Sequence, residues 1–389
     1  MKEGWEYCKL EDAVTKGSSN ISLNKIKGEE GDYPVFAAKG FVQNVSFYHQ
    51  DEDYLAIIKD GAGIGRVSKH PAKSSIVATM QYLIPKKGFN IDFIKYFLAG
   101  IDFEKHRNGS TIPHIYFKDY KSEIFPKLPL PEQQRIVSIL DEVFSAIEGS
   151  RNNAEQNLKN AKEVFESYLQ GVFENGNWET ISLKMLSTKI GSGATPRGGQ
   201  ENYKSEGISL VRSMNVHDWE FRDKNLAFID EKQAKELDGV TLQEDDVLLN
   251  ITGASVARCC VFPKKYLPAR VNQHVSIIRP KKELLDARFL NLLLTSKPYK
   301  DQLLFTGGQG ATRQAITKAQ IESFRISIPS LKEQQTIVRQ LDALRAETKR
   351  LEAIYQKKLV YLEELKKSVL HKAFAGELKT EMKVFTEQT

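Results

Sequence analysis

The chain has 389 residues, 41% hydrophobic and 27% charged, with a net charge of +6; that size and balance predict two to three soluble globular domains. No run of 18 apolar residues occurs, which excludes a transmembrane helix, and Met1-Lys2-Glu3-Gly4-Trp5-Glu6 lacks an apolar signal core, so a cytoplasmic location is expected. Three cysteines, Cys8 and the neighbours Cys259-Cys260, form no CxxC pair and argue against a zinc site or a disulfide framework.

The first 127 residues read as a mixed α/β body of short strands separated by glycine-bearing turns. Strands are expected at Tyr54–Ile58 and 81–84, and a short helix at Ile91–Ala99. The segment Lys59-Asp60-Gly61-Ala62-Gly63-Ile64-Gly65 follows its strand as a nucleotide or S-adenosylmethionine loop would. A helix should then follow, yet Arg66-Val67-Ser68-Lys69-His70-Pro71 reads as extended chain. A tight turn that presents Arg66 is the better reading. Further on, Arg107-Asn108-Gly109-Ser110-Thr111 forms a polar loop of side-chain types that bond phosphates and base edges.

A long helix is expected after Leu128-Pro129-Leu130-Pro131, where Pro131 suits a first turn because its missing N–H has no partner to lose there. Ile136, Leu140, Val143, Ile147, Leu158, Ala161, Phe165 and Leu169 follow the 3–4 spacing of a coiled-coil seam. Gly149-Ser150 is its weak spot, since a glycine within a helix costs on the order of 1 kcal/mol relative to alanine. This stretch is acidic: residues 131–174 hold 4 basic and 8 acidic side chains, against 18 and 16 in residues 1–130 and 22 and 17 in residues 175–330. A phosphate backbone would prefer the bodies to the helix.

From Trp178 the chain repeats itself. Trp5-Glu6 and Leu10 return 173 residues on as Trp178-Glu179 and Leu183. Gly61-Ala62 and Arg66 return 192 residues on as Gly253-Ala254 and Arg258, and Gly109, Thr111 and Ile115 return 201 residues on as Gly310, Thr312 and Ile316. The second body thus gains 28 residues before its helix. Strands are expected at 246–249 and 275–278, with helices at 231–237 and Ala287–Thr295. Polar glycine-rich loops are expected at 191–199, which carries Arg197, and at 307–314, which carries Gln309, Thr312 and Arg313. The glycine segment drops two of its three glycines in the second copy, which weakens the cofactor reading further.

A second long helix starts at Ser330-Leu331-Lys332-Glu333, a capping-box pattern. Leu341, Leu344, Leu351, Tyr355, Leu362, Leu365 and Val369 continue the seam, with Thr348 and Lys358 interrupting it. Residues 132–173 and 333–374 align without a gap at an offset of 201 and share 12 identities, among them Glu132-Gln133-Gln134 and Glu333-Gln334-Gln335. A lone amphipathic rod cannot bury its own seam, and its copy is the nearest partner. The expected fold is α+β: two mixed α/β bodies separated by two long antiparallel helices that form an intrachain coiled coil, an internal duplication with pseudo-two-fold symmetry. No P-loop, HExxH, Asn-Pro-Pro or Asp-Pro-Pro sequence occurs, so neither a catalytic residue nor a metal site is expected.

Leu128-Pro129-Leu130-Pro131-Glu132-Gln133-Gln134-Arg135-Ile136-Val137, its copy at 328–338, and the ending Ala373-Phe374-Ala375-Gly376-Glu377-Leu378 resemble the specificity (S) subunit of Type I restriction–modification systems. The resemblance covers almost the whole chain. It implies a target-recognition domain at 1–127, a helical region at 128–175, a second target-recognition domain at 176–328, and a second helical region with a C-terminal tail at 329–389. It further implies a non-catalytic, sequence-specific DNA-binding subunit that joins two methyltransferase (M) subunits performing adenine-N6 methylation. S-adenosylmethionine would sit in those partners, and ATP and Mg in a restriction (R) subunit if one joins; this chain would bind none of them. The DNA-contact candidates are Lys59, Arg66, Arg107, Ser110 and Thr111 in the first domain and Arg197, Arg212, Asn215, Arg258, Gln309, Thr312 and Arg313 in the second. Glu132, Gln133, Gln134, Glu333, Gln334 and Gln335 are scaffold or M-docking candidates. Thr336 stands where the first copy has Arg135, a departure that puts equal contacts to two M subunits in doubt. The competing readings are a stand-alone DNA methyltransferase or nuclease, which would bind S-adenosylmethionine alone, and a coiled-coil protein–protein scaffold, which would show no salt-dependent DNA affinity.

Overall fold

Tyr54-Leu55-Ala56-Ile57-Ile58 is an unbroken apolar run, and such a run suits a strand covered on both faces. In the computed structural model, which describes residues 2–196, 199–308 and 315–378, all five of its side chains are buried. Successive side chains of a strand point to opposite faces. Leu55 and Ile57 accordingly enter one apolar core, while Tyr54, Ala56 and Ile58 enter another.

That strand lies inside an antiparallel four-stranded sheet of order Val14–Ser18, Met80–Pro85, Tyr54–Ile58, Val67–His70. A three-stranded sheet of order Gly40–Val45, Tyr33–Ala37, Ser75–Ile76 covers one face. The helix Ile91–Ala99 packs in the core on the other face and buries Phe93, Ile94 and Leu98 completely. Each such side chain contributes roughly 1.5–3 kcal/mol. A strand pair, Glu6–Lys9 with Ile124–Lys127, closes the body just before the long helix.

The second body repeats the plan. Its four-stranded order is Ser187–Ser192, Val275–Pro280, Val247–Asn250, Cys259–Val261. Its three-stranded order is Ala227–Ile229, Ile208–Val211, Ala269–Val271, with the same pattern of one antiparallel and one parallel pairing. Glu179–Ser182 pairs with Arg325–Ile328 before the second long helix. The short helix Ala287–Thr295 takes the place of Ile91–Ala99. Much of the added length is a hairpin, Val216–His217 with Glu220–Phe221, and the helix Glu231–Glu236, which ends one residue before the expected limit. Burial makes Cys259 and Cys260 core side chains, and the Cys260 thiol is pushed up to about 12.

The long helices are Leu130–Asn175 and Leu331–Ala375, and Gly149 sits inside the first without breaking it. The chain divides into two compact units, Met1–Glu155 with Gln356–Thr389, and Gln156–Tyr355, so the division falls within both helices. In the first unit Ile136 and Leu140 share a core with Leu370 and Ala373, and Arg151 lies 3.7 Å from Glu363. In the second, Phe165, Leu169 and Phe173 share a core with Ile337, Val338 and Leu341.

Several expectations need correction. Leu365 is 47% exposed and is no seam residue, whereas Thr348, expected to interrupt the seam, is 4% exposed. The Thr348 hydroxyl donates to the Arg345 carbonyl 3.1 Å away, which removes the cost of burying it. Gly307 and Gly308, expected to open a loop, form the last turn of the helix Lys297–Gly308.

Candidate nucleic-acid interface

Two loops meet at the end of the central strand in each body. In the first, Lys59 N–H donates to the Thr79 carbonyl at 3.0 Å, Ile115 N–H donates to the Lys59 carbonyl at 2.9 Å, and Gly61 N–H donates to the Pro113 carbonyl at 2.9 Å. Asp60 and His114 add a side-chain hydrogen bond of 2.7 Å. In the second body Ile251 N–H donates to the His274 carbonyl at 3.0 Å and Ile316 N–H donates to the Ile251 carbonyl at 2.8 Å. The same backbone weave therefore seats both loop pairs.

The glycine segment is the turn that this weave holds. Ile58 N–H donates to the Arg66 carbonyl at 3.0 Å, and Gly65 N–H returns to the Ile58 carbonyl at 2.9 Å. Asn250, Arg258 and Ala257 make the matching bonds at 2.8 and 2.9 Å. Gly65 has φ +81° and Ala257 has φ +65°, so both copies place a left-handed residue just before the arginine. A non-glycine residue there costs on the order of 1–2 kcal/mol, which Ala257 bears to keep the turn. The turn presents Arg66, which is exposed, and Arg258, which is half-buried.

Of the other first-body candidates, Lys59 is half-buried with Nζ 3.9 Å from Asp60. Arg107 is exposed and pairs with Glu104 at 3.2 Å, and Ser110 and Thr111 are exposed on the same loop. The bonds from Gly61 and Ile115 bring that loop to the Lys59–Arg66 turn.

In the second body Asn215 requires a correction. It is 0% exposed, its Nδ2 donates to the Arg222 carbonyl at 2.8 Å, and its Oδ1 accepts from Arg212 N–H at 3.1 Å. It fastens a loop and, as placed, cannot reach a base edge. Arg212 is also engaged within the body: its Nη2 donates to the Asn225 carbonyl at 2.5 Å and its guanidinium lies 5.4 Å from the Tyr203 ring centroid. Arg197, Gln309, Thr312 and Arg313 lie outside the described residues.

Sequence reasoning missed a polar relay at this edge. Thr195 bonds Gln273, whose amide lies 3.1 Å from His274, and His274 Nδ1 lies 2.6 Å from the Thr252 hydroxyl. The relay ties the loop at 191–196 to the Arg258 turn. Gly193 is required in that loop because a Cβ there would collide with the Val271 carbonyl. A Thr or Gln in a loop carries no sequence signal of its partner, so nothing in the sequence points to the relay.

The Glu-Gln-Gln repeats lie elsewhere, where each body joins its following helix. Gln133 and Gln334 are both 0% exposed. Gln133 Oε1 accepts from Asn90 N–H at 2.7 Å, and its Nε2 donates to the carbonyls of Gly88 and Leu128 at 3.0 and 2.7 Å. Gln334 accepts from Asp286 N–H and donates to the carbonyls of Leu284 and Pro329, all at 2.9 Å. Asn90 and Asp286 in turn cap the short helices Ile91–Ala99 and Ala287–Thr295. These two glutamines are internal fasteners, which corrects any docking role for their side chains. Glu132 is half-buried in a two-bond ion pair with Arg135, whose guanidinium holds the Glu132 carboxyl below its ordinary value. Gln134, Glu333 and Gln335 are exposed. Thr336 instead donates to the Lys332 carbonyl at 3.0 Å.

Against known proteins, the chain matches the family described as Type I restriction modification DNA specificity domain twice, over residues 2–156 and 175–359. It is 22% identical over 319 residues to the Type I restriction enzyme EcoBI specificity subunit of Escherichia coli, an alignment spanning 75% of this chain and 66% of that protein. It is 26% identical over 291 residues to the putative type I restriction enzyme MjaX specificity subunit of Methanocaldococcus jannaschii, spanning 70% of this chain and 62% of that one. The chain thus spans slightly under two thirds of these two relatives. With the EcoKI specificity subunit of Escherichia coli K12 it shares 22% identity over 390 residues, 92% of this chain and 82% of that one. In fold it resembles the HsdS subunit from Thermoanaerobacter tengcongensis, with TM-score 0.62, 16% identity and coverage of 97% and 98%. It also resembles a chain from work on complex assembly and conformational transition of the type I R-M system, with TM-score 0.72, 16% identity and coverage of 97% and 99%.

Proposed function

The chain belongs to the Type I restriction modification DNA specificity family, and from that premise we propose that it selects the DNA target of a Type I restriction–modification complex without performing chemistry itself. The twofold family match, one segment per body, is the observation that carries the reading. Each body reads one half of a bipartite target. The bodies differ in length and loop content, so the half-sites differ and the whole target is asymmetric.

The contact surface in each body is the edge where the two loops meet. Arg66 and Arg258 hold phosphates, because the same turn presents an arginine in two bodies that read different bases. Base readout falls to the loops that differ, with Arg107, Ser110 and Thr111 in the first body and Arg197, Gln309, Thr312 and Arg313 in the second. Bidentate arginine–guanine and glutamine–adenine contacts are the pairings these side chains favour.

The two long helices form an antiparallel intrachain coiled coil that sets the spacer and offers docking faces to two methyltransferase subunits. Exposed Gln134, Glu333 and Gln335 stand at its two entrances. S-adenosylmethionine belongs to those partners, and ATP with Mg to a restriction subunit where one joins. The chain acts in the cytoplasm, where the DNA is; among the described residues no helix is long and apolar enough to cross a membrane.

Co-expression with a Type I methyltransferase subunit, followed by sequencing that detects N6-methyladenine, tests the reading. A bipartite methylated motif that requires both proteins is the expected result. Methylation by the purified chain alone, or S-adenosylmethionine binding without a partner, contradicts it.

A further inference from the structure

At a displacement of 201 residues, Phe144 corresponds to Arg345 and Phe165 corresponds to Lys366. The two long helices thus carry an aromatic and a cation at matched positions, exchanged between the copies. In the first unit the pair meets directly: Lys366 Nζ lies 5.6 Å from the Phe144 ring centroid. Tyr96 of the short helix packs edge-on against the same ring at 5.3 Å.

The second unit answers the same positions differently. Trp219 packs at 89° against Phe165, centroids 5.3 Å apart, and the Arg345 guanidinium carbon lies 4.8 Å from the Trp219 ring centroid. One indole therefore engages both long helices. It sits in the turn of the added hairpin, between His217 and Glu220. The first body has no such element: Tyr33–Ala37 turns directly into Gly40–Val45.

The hairpin turn is held from three sides. Trp219 N–H donates to the Cys259 carbonyl at 3.0 Å, its indole N–H donates to the Thr295 hydroxyl, and Asp218 pairs with Lys300 while accepting from Cys259 N–H at 3.2 Å. Trp219 also has φ +64°, a conformation that bulky residues rarely adopt. Such outliers persist only where the surroundings over-determine them, and they cluster at functional elements. Core filling alone calls for neither the left-handed backbone nor a half-buried cation over the ring.

We propose that Trp219 is a positioning residue that locks the second recognition body onto its stretch of both long helices and so fixes the spacer between the two DNA half-sites. The inference rests on the reading of this chain as a bipartite DNA-specificity subunit. Lengthening a spacer by a single base pair moves a half-site by roughly 3.4 Å, a displacement that only a rigid mount can reject.

The test uses the full chain assembled with its methyltransferase subunit and a library of targets whose spacer runs from shorter to longer than the native one. Methylation is read by sequencing. For Trp219→Ala, methylation at a spacer one base pair from native, relative to native, should rise about tenfold, as loss of roughly 1.4 kcal/mol of positional discrimination would give. The preferred bases of both half-sites should stay as they are. Trp219→Phe keeps a ring against Phe165 and Arg345 and should restore most of the discrimination. Should Trp219→Ala fail to assemble, Arg345→Gln, which leaves the hairpin intact, should also broaden the spacer profile. An unchanged profile, or a loss of methylation equal at all spacers, overturns the assignment. A wild-type complex with no bipartite target sinks the functional reading instead, so the two failures are distinguishable.

Discussion

In the first unit Gln133 reaches back to Gly88 and Asn90, and in the second Gln334 reaches back to Leu284 and Asp286. Phe374 packs on Phe93 and Phe97 in the one, and Phe173 packs on Phe289 in the other. The joints between body and helix are thus duplicated nearly atom for atom. Away from the joints the units part. The first has His70 where the second has Phe262, just past the matched edge strand, Gly65 where the second has Ala257, and no counterpart of the Trp219 hairpin. The difference separates what the two units share, the glutamine and phenylalanine joints, from what they do not, the residues of the edge strand and turn and the added hairpin.

The largest effect expected from breaking this comparison is at the joints. Gln133→Ala and Gln334→Ala each leave one N–H and two carbonyls without their side-chain partner, of which the Leu128 and Pro329 carbonyls are bonded in buried surroundings. Each should cost roughly 1–3 kcal/mol, the penalty for a buried polar group left unpaired. Urea unfolding should give similar losses for the two; a neutral result for either would break the equivalence.

Acid should separate the units next. Burial lowers the His70 pKa from 6.5 to about 4. The unfolded chain then binds the proton more readily than the folded one, so stability is full at neutral pH and falls as pH drops from 6.5 through 4. At about 1.4 kcal/mol per pKa unit the loss reaches up to ~3 kcal/mol. Hydrogen exchange should show the sheet around Tyr54–Ile58 loosening at pH 4.5, and His70→Phe should abolish that change. Equal acid sensitivity in the strand Val247–Asn250 would argue against His70 as its source.

Arg66→Ala and Arg258→Ala probe the shared turn. Each should weaken binding of the assembled complex to all sequences alike and reduce its salt slope by about 1. Relaxed base preference at one half-site would instead make that arginine a base reader. The smallest effect belongs to Ala257→Gly, which relieves the left-handed backbone and should change stability by less than about 1 kcal/mol. Gly65→Ala should destabilise by more, because the Phe103 ring occupies the space a Cβ would take.

Much of this plan was legible in the sequence, for identifiable reasons. Tyr54–Ile58 is apolar throughout, and Ile91–Ala99 and Ala287–Thr295 follow Asn90 and Asp286, residues that cap helices well. The 201-residue register of the long helices is visible in identities alone. The hairpin was hidden because its strands, Val216–His217 and Glu220–Phe221, are only two residues each, too short for an alternating pattern to show. Pro298 and Gly307-Gly308 disguised the helix Lys297–Gly308. At the candidate interface, residue type pointed to Arg66 and Arg258 correctly as turn residues but misread Asn215. An asparagine that bonds DNA and one that bonds its own loop look the same until burial is known. Gln133 and Gln334 gave the matching ambiguity at the helix entrances, where a side chain usually met at surfaces is wholly enclosed.

Exchanging residues 1–127 for the first recognition body of another specificity subunit tests the central claim, one half-site per body, most directly. The hybrid is co-expressed with the methyltransferase subunit and its methylated adenines are mapped by sequencing. A new motif in one half-site, with the other half-site retained, is the predicted result. An unchanged motif, or one altered in both halves, would contradict the claim.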